Sequence, residues 1–274
     1  MDKRYIEITL HTRASLDTEL LIEQLNDALE FEGVEEGEDN IKVFFSEATY
    51  DDILVKNIIE VRDIKYSISI IENKNWNEIW ETNFKPVKIG NKVAIRADFH
   101  QNINDVEYEI VITPKMSFGT GHHATTSLMV ESMYEHKYCV EKKVLDFGTG
   151  TGVLAILAEK MNAREVLAID HDEWSILNAV ENIEKNNCKK ITVLQQDYIP
   201  DGERWDVILA NINLHIIIDH MQRFYQNLKV GGILVISGIM YEDQGQVEAA
   251  ARSQPFLAVS ATYKNNWLCM AFRK

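Results

Sequence analysis

The hydrophobic positions of this 274-residue chain alternate between two periods, and the change of period marks the elements. Tyr5-Ile6-Glu7-Ile8-Thr9-Leu10 alternates apolar and polar residues as a half-buried strand does, and Leu21, Leu25, Ala28 and Leu29 then recur at helical spacing. Ile41–Phe45 predicts a second strand, Ile53, Leu54, Ile58 and Val61 one face of a helix, and Tyr66–Ile71 a further strand. The order is β-α-β-α-β with room for one extra strand, so a small α/β sandwich is expected over residues 1–72. Between Glu72 and Phe84 only Trp76, Ile79, Trp80 and Phe84 are apolar, on one helical stripe that Pro86 stops, which predicts a connecting helix over 73–87.

Beyond residue 88 the pattern becomes that of a doubly wound sheet. Val93–Arg96 and Tyr108–Ile112 read as strands, and an apolar helix follows through Leu128, Met129 and Met133. Strands at Val144–Phe147, Val166–Ile169, Ile191–Leu194, Trp205–Ala210 and Ile233–Ser237 then recur with helices between them. Leu228-Lys229-Val230-Gly231-Gly232 reads as the end of a helix and the turn that follows it. Leu257–Tyr263 and Trp267–Phe272, joined around Lys264-Asn265-Asn266, predict a closing hairpin. A hairpin there makes the last strand antiparallel, unlike the strands of an all-parallel dehydrogenase sheet.

The chemistry concentrates where the first parallel strand ends. Val144-Leu145-Asp146-Phe147-Gly148-Thr149-Gly150-Thr151-Gly152 leads into Val153–Ala158, a glycine loop opening a helix. A dinucleotide fingerprint would need glycine at position 153, where Val153 stands. Instead the spacing is Asp-x-Gly-x-Gly-x-Gly, which resembles the first motif of the S-adenosylmethionine-dependent methyltransferases. S-adenosylmethionine carries an ammonium, a sulfonium and a ribose diol, so carboxylates at strand ends suit it where a pyrophosphate would want bare amides. Asp170 ends the next strand eighteen positions after Gly152, and Asp197 follows the strand after that. Any one of these aspartates also fits as the cap of the following helix, but three successive strand ends with Asp form a pattern. Asn211 is delivered to the site end of the fourth strand, where a turn-forming Asn is the competing reading. Met116–Thr126 gathers glycines, hydroxyls and imidazoles before a helix, as a loop folding over a ligand would. Thr125 and Thr126 fit equally as helix caps there, and adjacent His122 and His123 without a third ligand make a poor metal set.

Charge adds a hint about partners. The formal net charge is −15, and residues 1–72 hold 18 Asp and Glu against 7 Lys and Arg. So acidic a segment disfavours a nucleic-acid substrate and suits a basic protein, although acidity for solubility alone is the simpler reading. The acidic loop Glu35–Asp39 reads as a solvated turn. Cys139, Cys188 and Cys269 are scattered, which argues against a disulfide framework and a zinc site. No apolar run approaches the roughly 18 residues of a membrane span, and Met1-Asp2-Lys3-Arg4-Tyr5 has no apolar signal segment, so a cytoplasmic protein is expected, with a monomer favoured.

Taken together these residues resemble the PrmA family of bacterial ribosomal-protein methyltransferases. The resemblance is carried by Trp76-x-x-x-Trp80-x-x-x-Phe84-Lys85-Pro86 with Ile89-Gly90, by Phe118-Gly119-Thr120-Gly121-x-His123-x-Thr125-Thr126, and by the Asp146–Gly152 loop. Asp170, Ala210-Asn211-Ile212, Gly231-Gly232 and Ser237-Gly238-Ile239 extend it along the chain. Ala124 departs from the usual proline, Thr149 from a common cysteine, and Asn213-Leu214-His215 from a run of small residues at the substrate lip.

The resemblance implies a class I, Rossmann-like methyltransferase domain over 88–274, a linker helix over 73–87, and a ferredoxin-like substrate-recognition domain over 1–72. It implies S-adenosyl-L-methionine as cofactor and large-subunit ribosomal protein L11 as substrate, methylated on lysines and on the N-terminal α-amine, generally to the trimethyl state. By the resemblance, cofactor contacts fall on Thr126, Gly148, Asp170 and Asn211, with Thr125 and His123 close by. The reading of the loops and strand ends adds Thr125, Asp146, Gly150 and Asp197 to the cofactor set, places Phe118 and His123 on the substrate side and has Asn211 orient the amine. Competing readings are a methyltransferase for another amine, a non-catalytic S-adenosylmethionine-binding scaffold, and a nicotinamide oxidoreductase.

Overall fold

The computed structural model describes residues 4–12, 21–22, 24–26, 28–29, 31–37, 40–61, 64–72, 84–115, 117–200 and 202–274. The chain divides into two compact units, Met1–Asn83 and Phe84–Lys274.

In the first unit β1 (Arg4–Leu10), β2 (Gly33–Glu36), β3 (Ile41–Ser46) and β4 (Tyr66–Glu72) form one sheet in the order β2-β3-β1-β4, every neighbour antiparallel. That is the order and direction set of a ferredoxin-like sandwich. Ile6, Ile8 and Leu10 alternate onto the face that meets Leu21 and Leu25 and the helix α1 (Asp52–Glu60). Asp51 caps α1 by accepting from Ile53 N and Leu54 N, at 3.0 and 3.1 Å.

Two expectations change here. The buried face of α1 is Val55 and Ile59, whereas Ile53 and Val61 are 74% and 83% exposed. Asp52, Lys56, Asn57 and Glu60 make the other side of the helix polar, and the predicted stripe is rotated from the buried one. Ile58 still packs against the core, while Ile53 stands on the polar side and Val61 is the C-cap beyond the last turn. Glu35 and Glu36 belong to strand β2, where Glu35 pairs with Lys42, rather than to a turn. The predicted connecting helix with Trp76 and Trp80 lies outside the described residues.

The second unit opens with a three-stranded sheet that the pattern showed only in part: β5 (Val87–Ile89), β6 (Val93–Ala97) and β7 (Tyr108–Ile112), in the order β5-β6-β7. The main sheet has seven strands, β8 (Lys143–Phe147), β9 (Glu165–Asp170), β10 (Ile191–Gln195), β11 (Trp205–Asn211), β12 (Leu228–Met240), β13 (Leu257–Lys264) and β14 (Trp267–Arg273). Their order is β10-β9-β8-β11-β12-β14-β13, parallel up to β12, with β14 antiparallel beside it. Strand β12 starts at Leu228, directly after the preceding helix, so that the expected turn at 228–232 is already part of a strand.

Alternation along the strands builds two cores. Val144, Ala168, Leu209 and Val235 face α2 (Ala124–His136), α3 (Val153–Lys160) and α4 (Glu173–Lys185). Leu145, Ile169, Ile208 and Ile236 face α5 (Leu214–Asn227) and α6 (Gln244–Arg252). The small sheet is tied to α4 by side chains acting as backbone partners: Asn182 Oδ1 accepts from Thr113 N at 2.7 Å and Asn186 Oδ1 from Val111 N at 3.0 Å.

Candidate active site

The site grows from the turn between β8 and α3. Gly148 N and Thr149 N both donate to Ile169 O, at 2.9 Å each, which holds the loop against the end of β9. Gly150 N donates to Asp170 Oδ2 at 2.9 Å. The next residue joins a second loop: Thr151 N donates to Phe118 O at 2.9 Å and Thr151 Oγ1 to Gly119 O at 2.8 Å. The glycine loop and the Phe118–Gly121 segment are therefore one hydrogen-bonded body.

Asp146 sits beneath this body. Its position in β8 shares the parity of Val144, so the side chain turns towards α3, and the residue is fully buried. Asp146 Oδ2 accepts from Thr149 Oγ1 at 2.6 Å and from Ala155 N at 3.2 Å, while Oδ1 is buried with no hydrogen-bond partner. Burial pushes this carboxyl up to about 7, the neighbouring Asp170 adding to the effect and the two donated bonds opposing it. An unfolded Asp titrates near ~3.9, so between that value and neutrality the folded protein holds a proton that the unfolded chain has released. Stability should fall as pH rises across that window and level off above it. An Asp146→Asn variant, neutral throughout and still an acceptor for Thr149 and Ala155, is expected to show a smaller drop in urea midpoint between pH 5 and pH 8 than the parent.

At the start of α2, His123 is the N-cap, its Nδ1 accepting from Thr125 N at 3.3 Å with Thr125 Oγ1 at 2.7 Å. Thr125 and Thr126 are fully buried within the first turn, so neither is the cap. Asn211 ends β11 with the parity of Leu209, on the face α2 covers, and its Nδ2 donates to Thr126 Oγ1 at 3.4 Å. Asn211 Oδ1 is buried with no hydrogen-bond partner.

These elements surround a cavity of about 660 Å³. Of the residues singled out by sequence, Phe118, His123, Thr125, Gly148, Gly150, Asp170, Asp197 and Asn211 line it. Thr126 stands behind Asn211, and Asp146 beneath the glycine loop. The sequence reading did not single out Ser175, Gln196, Ile216, His220 and Trp267, which line it too. Trp267 had a readable signal: β14 runs against the parallel strands, so its first residue lies where they end. His220 lies one helical turn past Ile216 on α5, with its Nδ1 3.0 Å from Ile216 O, and nothing in the pattern distinguished it. Among the described residues no group of three or more His, Cys, Asp or Glu could hold a metal ion.

The cavity fits an adenosyl cofactor. Asp170 uses one oxygen on Gly150 N and the other on Asp172 N, at 2.9 and 3.1 Å, and each oxygen keeps accepting capacity for one hydroxyl of a ribose diol. Gln196 and Asp197 extend the polar wall from the end of β10. At the other side Asn211 Oδ1 awaits a donor, and an orphaned buried carbonyl beside a cavity is explained by a ligand that carries one.

A sheet of this order, with its single antiparallel strand and a carboxylate-flanked glycine loop, defines a class I S-adenosylmethionine-dependent methyltransferase. The model of the family described as ribosomal protein L11 methyltransferase (PrmA) matches residues 6–274. A protein of Bacteroides thetaiotaomicron named ribosomal protein L11 methyltransferase is 36% identical, over 98% of this chain and 99% of its own. The crystal structure of a ribosomal protein L11 methylase from Lactobacillus delbrueckii subsp. bulgaricus superposes with a TM-score of 0.64 at 28% identity, covering 70% of this chain and all of that one. A methyltransferase structure from Pyrococcus furiosus shares the fold at 18% identity, with a TM-score of 0.51 over 60% of this chain and 89% of its own. The chain belongs to the ribosomal protein L11 methyltransferase (PrmA) family.

Proposed function

We propose that the protein methylates amines of large-subunit ribosomal protein L11, both lysine side chains and the N-terminal α-amine, up to the trimethyl state. The observation that carries the reading is Asn211 Oδ1, a buried carbonyl without a partner in the same cavity as the Asp170 carboxylate. S-adenosylmethionine, when bound, supplies an electrophilic methyl carbon. Asp170 and the Gly148–Gly150 backbone hold the ribose end, Thr125 and Asp197 add polar contacts, and Asn211 accepts an N–H of the target amine, which aims the nitrogen lone pair.

Only a neutral amine has that lone pair. Deprotonating a lysine at pH 7 costs about 4 to 5 kcal/mol and an α-amine about 1. Desolvation in the cavity lowers the cost, the proton leaves to solvent, and positioning supplies most of the rate. Residues 1–72, with their excess of acidic side chains, form the recognition domain for a basic ribosomal protein, linked through 73–87 to the catalytic domain 88–274. The enzyme acts as a cytoplasmic monomer on protein rather than nucleic acid.

Intact-mass analysis tests this directly. Ribosomal protein L11 incubated with the enzyme and cofactor should gain mass in steps of about 14 Da, one CH₂ per transfer. No gain, with cofactor binding confirmed by calorimetry, would move the substrate elsewhere.

A further inference from the structure

We propose that Phe118, His123 and Trp267 form an aromatic wall that binds the target amine in its methylated, cationic forms, so that mono- and dimethylated amines are taken up as substrates. The inference rests on the amine-methyltransferase reading above. All three rings line the cavity, Phe118 and His123 with centroids 5.2 Å apart and His123 and Trp267 4.6 Å apart, both pairs edge to face. They come from separate parts of the chain, the loop joined to Thr151, the N-cap of α2, and the first residue of β14. His123 is held in place by Thr125, whose backbone N–H lies 3.3 Å and whose Oγ1 lies 2.7 Å from the ring Nδ1.

The need for such a wall follows from what methylation does to an amine. Each transfer forms an N–C bond, breaks an S–C bond and releases the ammonium proton to water, replacing an N–H with a methyl group. Asn211 Oδ1 can hold only what still carries N–H, so its grip on the substrate weakens with every step. The protonated product keeps its charge and becomes more apolar, which ring faces accommodate without hydrogen bonds. Asn211 and the rings divide the work: the carbonyl aims an unmethylated amine, the rings retain a methylated one. A purely structural role for Trp267, packing His123 into its capping position, would affect all methylation states alike.

The test is calorimetric binding to the full chain saturated with S-adenosylhomocysteine, using one lysine peptide from ribosomal protein L11 in unmodified and dimethylated forms. For Trp267→Ala the loss of affinity for the dimethylated peptide should exceed the loss for the unmodified one by about ten-fold, and Trp267→Phe should restore most of it. Phe118→Ala, at a position 53% exposed and so tolerant of truncation, should show the same bias and serves if Trp267→Ala does not fold. Equal losses for the two peptides, or none, would overturn the wall. Binding is read without turnover: if the variants show this bias while the wild-type enzyme transfers nothing to ribosomal protein L11, the proposed activity is refuted and the wall stands.

Discussion

An Asn211→Ala variant is expected to lose about a hundred-fold in kcat, while its affinity for S-adenosylmethionine falls by less than about ten-fold, the worth of one hydrogen bond. The unequal effect follows from geometry. Asn211 stands at the end of β11 with its amide nitrogen on Thr126, and its carbonyl is the group with no partner. The cofactor retains Asp170 and the glycine-loop backbone when the side chain is cut, whereas the amine loses the acceptor that aims it. Thr126→Val separates two origins of the loss. It removes the Asn211 anchor but keeps the carbonyl, so it should lower kcat by less, about ten-fold or under. Full turnover in Asn211→Ala with normal cofactor binding would end the assignment. Single-turnover kinetics on ribosomal protein L11 make the comparison free of product release.

How much of this arrangement was readable from the chain depends on the length over which each signal acts. The glycine loop and the strand-end carboxylate Asp170 are local, a few residues with fixed spacing, and the structure places them on one cavity wall. The strands of the large sheet were legible as short runs separated by helices, and the closing hairpin betrayed the antiparallel strand, whereas their order in the sheet is set by long-range pairing that no local run records. Asp146 shows where spacing stops informing. Its distance from Gly148 is the same whether it faces the ligand or the helix, and only strand parity, set by which core Val144 joins, turns it towards Ala155. The buried stripe of α1 was misjudged in part for a related reason: Ile53 is an apolar residue on the polar side and Val61 caps the helix, so counting them rotates the stripe away from Val55 and Ile59, although Ile58 packs as expected. His220 reaches the cavity through tertiary packing, and its neighbour there, Phe147, lies far away in sequence.

Gly150→Ala should bring the largest loss, because it strikes the joint between two loops. Gly150 has φ +53°, and a Cβ built there would lie 2.3 Å from Phe118 O, a backbone atom that cannot rotate aside. The left-handed conformation alone costs an alanine about 1 to 2 kcal/mol. Relieving the clash means moving Phe118, and with it the bonds from Thr151 N to Phe118 O and from Thr151 Oγ1 to Gly119 O. The bond from Gly150 N that orients Asp170 is strained in the same movement. Stability should drop by about 3 kcal/mol in urea denaturation, and cofactor affinity by a hundred-fold or more, on the order of two broken contacts with their geometry. Gly202→Ala isolates the backbone contribution: its φ is +83° and nothing lies within 4 Å of the added carbon. That variant should lose about 1 kcal/mol of stability and bind the cofactor as the parent does. If Gly150→Ala were no worse than Gly202→Ala in either measurement, the two loops would not act as one body. If it lost affinity while keeping its stability, the joint would matter to the ligand alone, and the Phe118 segment would be a cover that closes on the cofactor rather than a fixed wall.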